Sequence, residues 1–181
     1  MTTYPYPTLT AVSGRVFATY PAAVVVMIVN DKEELLLLSN PKRTPWWEVV
    51  NGAVDADETI LDAALREVRE EAGEAIQVRP LGVVHTSTFS YDAYAHHMLS
   101  ITYLMAHVSG EAVAGDDMHG SQIMWHSLAD LPQSQLKIIP PLDEPWLCQR
   151  ALELFRLWNP QPDYPLQSPL PQTYKNKYDL Q

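Results

Sequence analysis

Residues 51–74 read NGAVDADETILDAALREVREEAGE, and the end of this run sets four glutamates and two arginines within little more than two helical turns. From Thr59 to Ala72 the spacing is helical, with Leu61, Ala64, Leu65, Val68 and Ala72 forming one apolar stripe. Asp57 or Thr59 can cap the start, and Gly73 is placed to stop the helix. Glu67, Glu70 and Glu71 stand at i, i+3 and i+4, so their side chains converge on a face beside the stripe, at the edge of a core. Like charges at that spacing repel. On local composition the run is either a solvated face, with Arg66 and Glu70 paired at i and i+4, or a cation site. Oxygen-only ligands at this density suit magnesium, manganese or calcium rather than zinc.

The segments around the helix have a strand period. "AAVVVMIV" (22–29) is continuously apolar and β-branched, "NDKEE" (30–34) is a turn signal, and "LLLLS" (35–39) returns. "SNPKRTP" is a loop with the adjacent cations Lys42 and Arg43, "WWEVV" (46–50) is a short strand, and Asn51-Gly52 is a turn dipeptide. Beyond the helix, "AIQVRPLGVVHTSTFSY" and "HHMLSITYLMAHV" read as long strands, "SGEAVAGDDMHGS" as a loop and "QIMWHSL" as a short strand. Residues 144–158, EPWLCQRALELFRLW, repeat the helical spacing. Residues 1–19 read as an N-terminal arm with a first strand, and 20–158 as one domain of α+β class. Residues 159–181 carry five prolines and read as an extended tail, docked on its own domain or on a second subunit of a homodimer.

The net charge of −10 argues against a nucleic-acid backbone as the partner, since that needs clustered Lys and Arg. An acidic chain can act on an anionic substrate if it imports positive charge, and a divalent cation does so. No apolar run approaches a membrane span, and the N-terminus lacks a basic start followed by an apolar core, so neither membrane insertion nor a signal peptide is expected. The single cysteine, Cys148, excludes an intramolecular disulfide and a thiolate zinc cluster, and fits a reducing cytoplasm. It lies on a core helix and reads as inert packing.

The wider spacing decides between a solvated face and a cation site. Gly52, five residues, Glu58, seven residues, then Arg66-Glu67-Val68-Arg69-Glu70-Glu71-Ala72-Gly73 resembles the signature of the Nudix hydrolase family, G-x5-E-x7-R-E-U-x-E-E-x-G-U with U aliphatic. Eight of its nine defined positions match; the exception is the last, Glu74. "WWEVVNG" resembles the family's W-x-x-P-G-G lead-in, with Val50 and Asn51 in place of the proline and first glycine. The resemblance implies a Nudix-type α/β/α sandwich with a mixed β-sheet.

It also implies a metal-dependent pyrophosphohydrolase that cleaves a diphosphate linkage in a nucleoside diphosphate joined to another group. By that resemblance Glu67, Glu70 and Glu71 ligate Mg²⁺ or Mn²⁺, a backbone carbonyl near Asn51-Gly52 adds a ligand, Arg66 orients the carboxylates and Glu58 supports the loop–helix junction. Glu67 is the first candidate for general base, with Asp116, Asp117 and His119 in a later loop as weaker ones. For substrate, Trp46 or Trp47 can stack on a base, at most one of the two facing the pocket. Lys42 and Arg43 can meet phosphates. His85, Phe89, Tyr91, Tyr94, His96 and His97 follow the box, and Tyr91 is the candidate counterpart of a tyrosine in family members that hydrolyse dinucleoside polyphosphates. Paired metal ligation by His96 and His97 is not expected, because adjacent strand residues diverge. The competing readings are a Nudix-like domain that binds a nucleotide without cleaving it, and an isoprenoid diphosphate isomerase, for which this chain has no cysteine near the expected pocket to serve as the acid.

Overall fold

The structure is a computed structural model that describes residues 7–161 except 93, 94, 96 and 143. The candidates Tyr94 and His96, and all but the first residues of the proline-rich tail, lie outside the described residues. The strands are β1 (Thr8–Thr10), β2 (Val16–Ala18), β3 (Ala22–Val29), β4 (Glu34–Ser39), β5 (Trp46–Glu48), β6 (Val50–Ala53), β7 (Gln77–Phe89), β8 (Met98–Ser109), β9 (Ile123–Ser127) and β10 (Lys137–Ile138). The helices are α1 (Ile60–Ala72) and α2 (Pro145–Trp158). β1 and β2 form a small antiparallel ribbon of their own, and the other eight strands make one mixed sheet with the path β10-β5-β4-β3-β8-β7, β6 pairing with β3 and β9 with β4.

Both faces of that sheet are covered, which is why its central strands are apolar without alternation. Val24, Val26 and Ile28 of β3, Leu36 and Leu38 of β4, and Ile101, Tyr103 and Met105 of β8 pack with Ala64, Val68 and Ala72 of α1. Their neighbours Met27, Val29, Leu35, Leu37 and Leu104 pack with Leu147, Ala151 and Phe155 of α2 on the other face. Each strand therefore feeds two cores, in the α/β/α arrangement that the resemblance implied. No helix among the described residues is long and apolar enough to cross a membrane.

The pairing of β5 and β6 departs from the sequence reading. Asn51-Gly52 does not turn the chain: the residues lie inside β6, opposite Val25 and Val24 of β3. β5 pairs with β4 through Glu48 and Trp47, so residues 46–53 form a nearly continuous extended run that leaves β4 and joins β3. On its outer side β5 takes β10 in parallel, a two-residue strand with Lys137 opposite Trp46 and Ile138 opposite Trp47.

Thr59 caps α1, its Oγ1 accepting the Asp62 N–H at 3.1 Å. The other end is closed by the segment after β8. Val113 N–H donates to Ala72 O at 2.9 Å, and Gly115 N–H donates to Glu71 O at 3.0 Å, satisfying carbonyls that a helix end leaves open. The approach at Gly115 is close enough that a Cβ there would stand 1.9 Å from Glu70 O. This contact seats the 3-10 turn Asp116–Met118 against α1, with Met118 in the core. Gly115→Ala is expected to destabilise the protein by about 1–3 kcal/mol, read as a lower urea midpoint at unchanged slope.

Candidate active site

Arg66 gathers the acids of the helix and of the loop before it. Its Nη1 donates to Glu67 Oε1 at 2.7 Å and to Glu70 Oε2 at 2.8 Å. Its Nη2 donates to Glu58 Oε1 at 2.8 Å and to Ala53 O at 2.9 Å, and its Nε to Glu58 Oε2 at 3.2 Å. Glu58 also accepts the Asp55 N–H at 2.7 Å, which closes the loop between β6 and α1. These bonds, Arg66's first, hold the Glu58 carboxyl below its ordinary range. One guanidinium thus pins the end of β6, the loop and two turns of α1 to one another.

Gly52 lets this helix reach the sheet. A Cβ at that position would fall 1.9 Å from Glu67 Oε1, so any other residue would displace the Glu67 carboxylate. Next to it, Asn51 N–H donates to Glu71 Oε2 at 2.9 Å. Glu67 and Glu71 are both buried, at 7% and 8% exposure, while the Glu70 side chain is 40% exposed. Burial is the first cause that raises the Glu67 carboxyl, only partly offset by Arg66. Burial likewise pushes Glu71 up to about 8, against the Asn51 N–H and with further push from the charges of Glu67, Glu48 and Asp117.

Two further acids join the set. Glu48 of β5 is buried at 6% exposure and accepts a short hydrogen bond from Asn40 Nδ2. Desolvation raises its carboxyl, while Asn40, Asn51 and the Arg43 charge pull it down. The sequence signal was available: alternation along β5 and β6 puts Glu48 on the face of Val50, towards α1. Asp117, weighed as a candidate base, acts electrostatically on Glu67 and Glu71 from the 3-10 turn.

The remaining candidates are spread around this centre. Trp47 packs into the α2-side core, whereas Trp46 is 39% exposed and lines a cavity of about 420 Å³ with Arg43, Thr44, Ile139 and Pro140. Lys42 is exposed. Tyr91 stands 70% exposed beyond β7, its N–H bonded to Ala95 O. His85 meets the Trp146 ring edge-on at 5.0 Å and His97 meets Tyr20 at 5.9 Å. Cys148 is buried on α2, its thiol directed at Leu142 O. Glu74 follows Gly73, where α1 has ended.

The donor set can be tested against a cation. Every donor is oxygen, and the buried carboxylates Glu48, Glu67 and Glu71 outnumber the guanidinium of Arg66 that bonds to this set, so a hard divalent ion fits the chemistry. Among the described residues, no three side chains of His, Cys, Asp or Glu are gathered closely enough to enclose an ion; Glu67 and Glu70 are turned onto Arg66 instead. Charge imbalance has a stability consequence. A carboxyl whose folded pKa lies above its unfolded value makes the native state bind more protons, so stability falls as pH rises through that window. For Glu71 the window runs from its ordinary value of 4.5 to about 8. Protein stripped of divalent cations is expected to melt at lower temperature at pH 8 than at pH 5.5, Mg²⁺ to reverse part of that loss, and Glu71→Gln to flatten the dependence, all by calorimetry.

Comparison with known proteins bears on what this centre is. Residues 19–149 match the model of the NUDIX domain. An ADP-ribose pyrophosphatase of Methanocaldococcus jannaschii is 31% identical over 117 residues, covering 63% of this chain and 66% of that protein. The NAD-capped RNA hydrolase NudC of Pseudomonas aeruginosa is 28% identical over 130 residues, 70% of this chain and 44% of that one. The alignment thus spans just under two thirds of the first relative and under half of the second. A Nudix-family hydrolase from Clostridium perfringens shares the fold, with a TM-score of 0.58 at 20% identity over 75% of this chain and 96% of its own. With the family model covering the sheet, the glycine-to-glutamate contact and the arginine-held acids alike, the chain belongs to the Nudix hydrolase family.

Proposed function

We propose that this protein is a pyrophosphohydrolase that works with Mg²⁺ or Mn²⁺ and cleaves the diphosphate linkage of a nucleoside diphosphate joined to a further group. The observation that carries this reading is the arginine-ordered set Glu58, Glu67 and Glu70 on Arg66, set beside a buried Glu71 that forms no ion pair among the described residues. A pure binding module has no need of the full set of acids. Relatives named ADP-ribose pyrophosphatase and NAD-capped RNA hydrolase point to the same class of bond.

Glu67, Glu70 and Glu71, with the main chain at Gly52, would hold the cation. When bound, it supplies the positive charge at a phosphoryl group that an acidic chain otherwise lacks. The protein's own part is positioning and proton transfer. Arg66 gathers Glu67 and Glu70 on one side of the helix before substrate arrives, and Glu58 holds Arg66; taking up the cation would turn the two carboxylates off the guanidinium. Glu67 Oε1 is occupied by Arg66, which leaves Oε2 to take a proton from the attacking water. A carboxyl raised by burial is better matched to that task than an ordinary one. Asp117 is the second candidate base, near enough for its charge to act on Glu67.

The deciding experiment screens nucleoside triphosphates, ADP-ribose, nucleotide sugars, dinucleoside polyphosphates and coenzyme A, with and without metal, for release of a phosphorylated product. Wild type should turn over at least one of them only with divalent cation, and Glu70→Gln should lose activity. Identical behaviour of the two across the panel would end the catalytic reading, and tight binding without turnover would favour a non-catalytic domain. Glu67→Gln should lower kcat by about 10²–10⁴-fold, and Asp117→Asn by less than tenfold. The reverse order would move the base to Asp117.

A further inference from the structure

Among the described residues β6 has one strand partner, β3, so its other edge needs a different closure. Side chains of α1 provide it. Asn51 N–H donates to Glu71 Oε2 at 2.9 Å, and Ala53 O accepts from Arg66 Nη2 at 2.9 Å. The alignment of the helix acids with the sheet therefore depends on where the main chain of β6 stands. At this point the chain carries Val50 and Asn51 where the lead-in it resembles has proline and glycine. A proline ring fixes φ; valine and asparagine do not, and a strand of four residues has few main-chain bonds to hold it.

Asn51 supplies a restraint with its own side chain. Its Nδ2 donates to Val49 O at 2.9 Å, closing a loop across Val50 of the kind that polar side chains make with neighbouring backbone. The same amide acts as a hydrogen-bond donor towards Glu48, the buried acid that ends β5. Glu48 is held in turn from the end of β4. Asn40 Nδ2 donates to its Oε1, while the Asn40 N–H is committed to Trp46 O at 2.9 Å. A buried carboxylate needs such donors, and among the described residues Glu48 forms no ion pair. One chain of contacts thus runs from Asn40 through Glu48 and Asn51 to Glu71.

We infer that Glu48 and Asn51 are a positioning pair for the cation centre: the Asn51 amide, held by Val49 O and the Glu48 carboxylate, fixes the main chain of β6 that presents its N–H to Glu71. The inference rests on the reading that this centre takes a divalent cation. Neither side chain touches the ion; both act through the strand. Glu71 receives the Asn51 N–H only while the peptide between Val50 and Asn51 keeps its orientation, and the side-chain amide keeps it. Partners of this kind, one bond removed from the ligands, commonly govern metal affinity. A pair that served the core alone would change stability and leave ion binding as it is.

The test reads Mn²⁺ binding to the full chain by the paramagnetic resonance of the free ion, with urea midpoints to show that each variant is folded. Asn51→Gly restores the residue of the lead-in and keeps the main-chain N–H, so a chain that needed only that lead-in would lose nothing. It is expected instead to weaken Mn²⁺ by about tenfold. Glu48→Ala should weaken it by a similar factor, and Glu48→Gln, which keeps one oxygen for the amides, should recover most of the loss. The double variant Asn51→Gly/Glu48→Ala should bind no worse than the weaker single one, because the two act as a unit. Asn51→Gly at wild-type affinity, Glu48→Gln as weak as Glu48→Ala, or factors that multiply in the double variant overturn the pair. Asn51→Gly decides by itself if Glu48→Ala does not fold. A wild type that takes up no Mn²⁺ ends this inference together with the cation reading, whereas uptake unaffected by Asn51→Gly ends the inference alone. Uptake that depends on Asn51, in a protein that turns over nothing on the panel, ends the catalytic reading alone.

Discussion

Arg66 is the residue on which the geometry of the centre depends. Its five hydrogen bonds join a strand-end carbonyl at Ala53, a loop acid at Glu58 and two helix acids at Glu67 and Glu70. The buried Glu67 would be costly there without a cation, and all three acids are directed by a guanidinium that is planar, with donors that diverge at fixed angles. A lysine could neutralise the same charge without fixing the same directions. The tight contact at Gly52 then brings the Glu67 carboxylate against the main chain of β6 where the helix meets the sheet.

Much of this was legible in the sequence, and the reasons differ from element to element. The α1 stripe and its Thr59 and Gly73 boundaries follow from local spacing, as do the central strands, because local preference and burial agree there. Asn51-Gly52 misled because a turn dipeptide is a local signal. The long-range pairing of β6 with β3 overrode it, while the glycine was required for contact with a helix that comes later in the chain. β10 is two residues long, too short for any period to show, and it exists because β5 offers it an edge. Glu48 went unremarked because it sits outside the box; only the pairing of β5 with β4 sets it against Asn40.

The charge distribution is uneven. The acids on α1, β5 and the 3-10 turn concentrate negative potential where the helix meets the sheet. Arg43 stands apart from them at the cavity, acting on Glu48 but unpaired. Were it drawn into an ion pair with the central acids, as Arg66 is, it would have no free donors for an anion. The loop at 40–45 prevents that: Asn40 Oδ1 accepts the Lys42 N–H at 2.9 Å and Asn40 Nδ2 is spent on Glu48, so the turn is tied to the buried acid while its cation is left outside.

The two-residue period of β5 sends its side chains to different surroundings. Glu48 points inward to the acid set, Trp46 on the same face is exposed one step further out, and Trp47 between them anchors the strand in the opposite core. Moving the register by one residue would bury Trp46 and expose Trp47 and Glu48 to the wrong faces. The parallel pairing of β10 with Trp46 and Trp47 resists that slip, and it also delivers Ile139 and Pro140 to the cavity. A strand of two residues can matter this much because what it positions is not its own side chains but the wall that follows it.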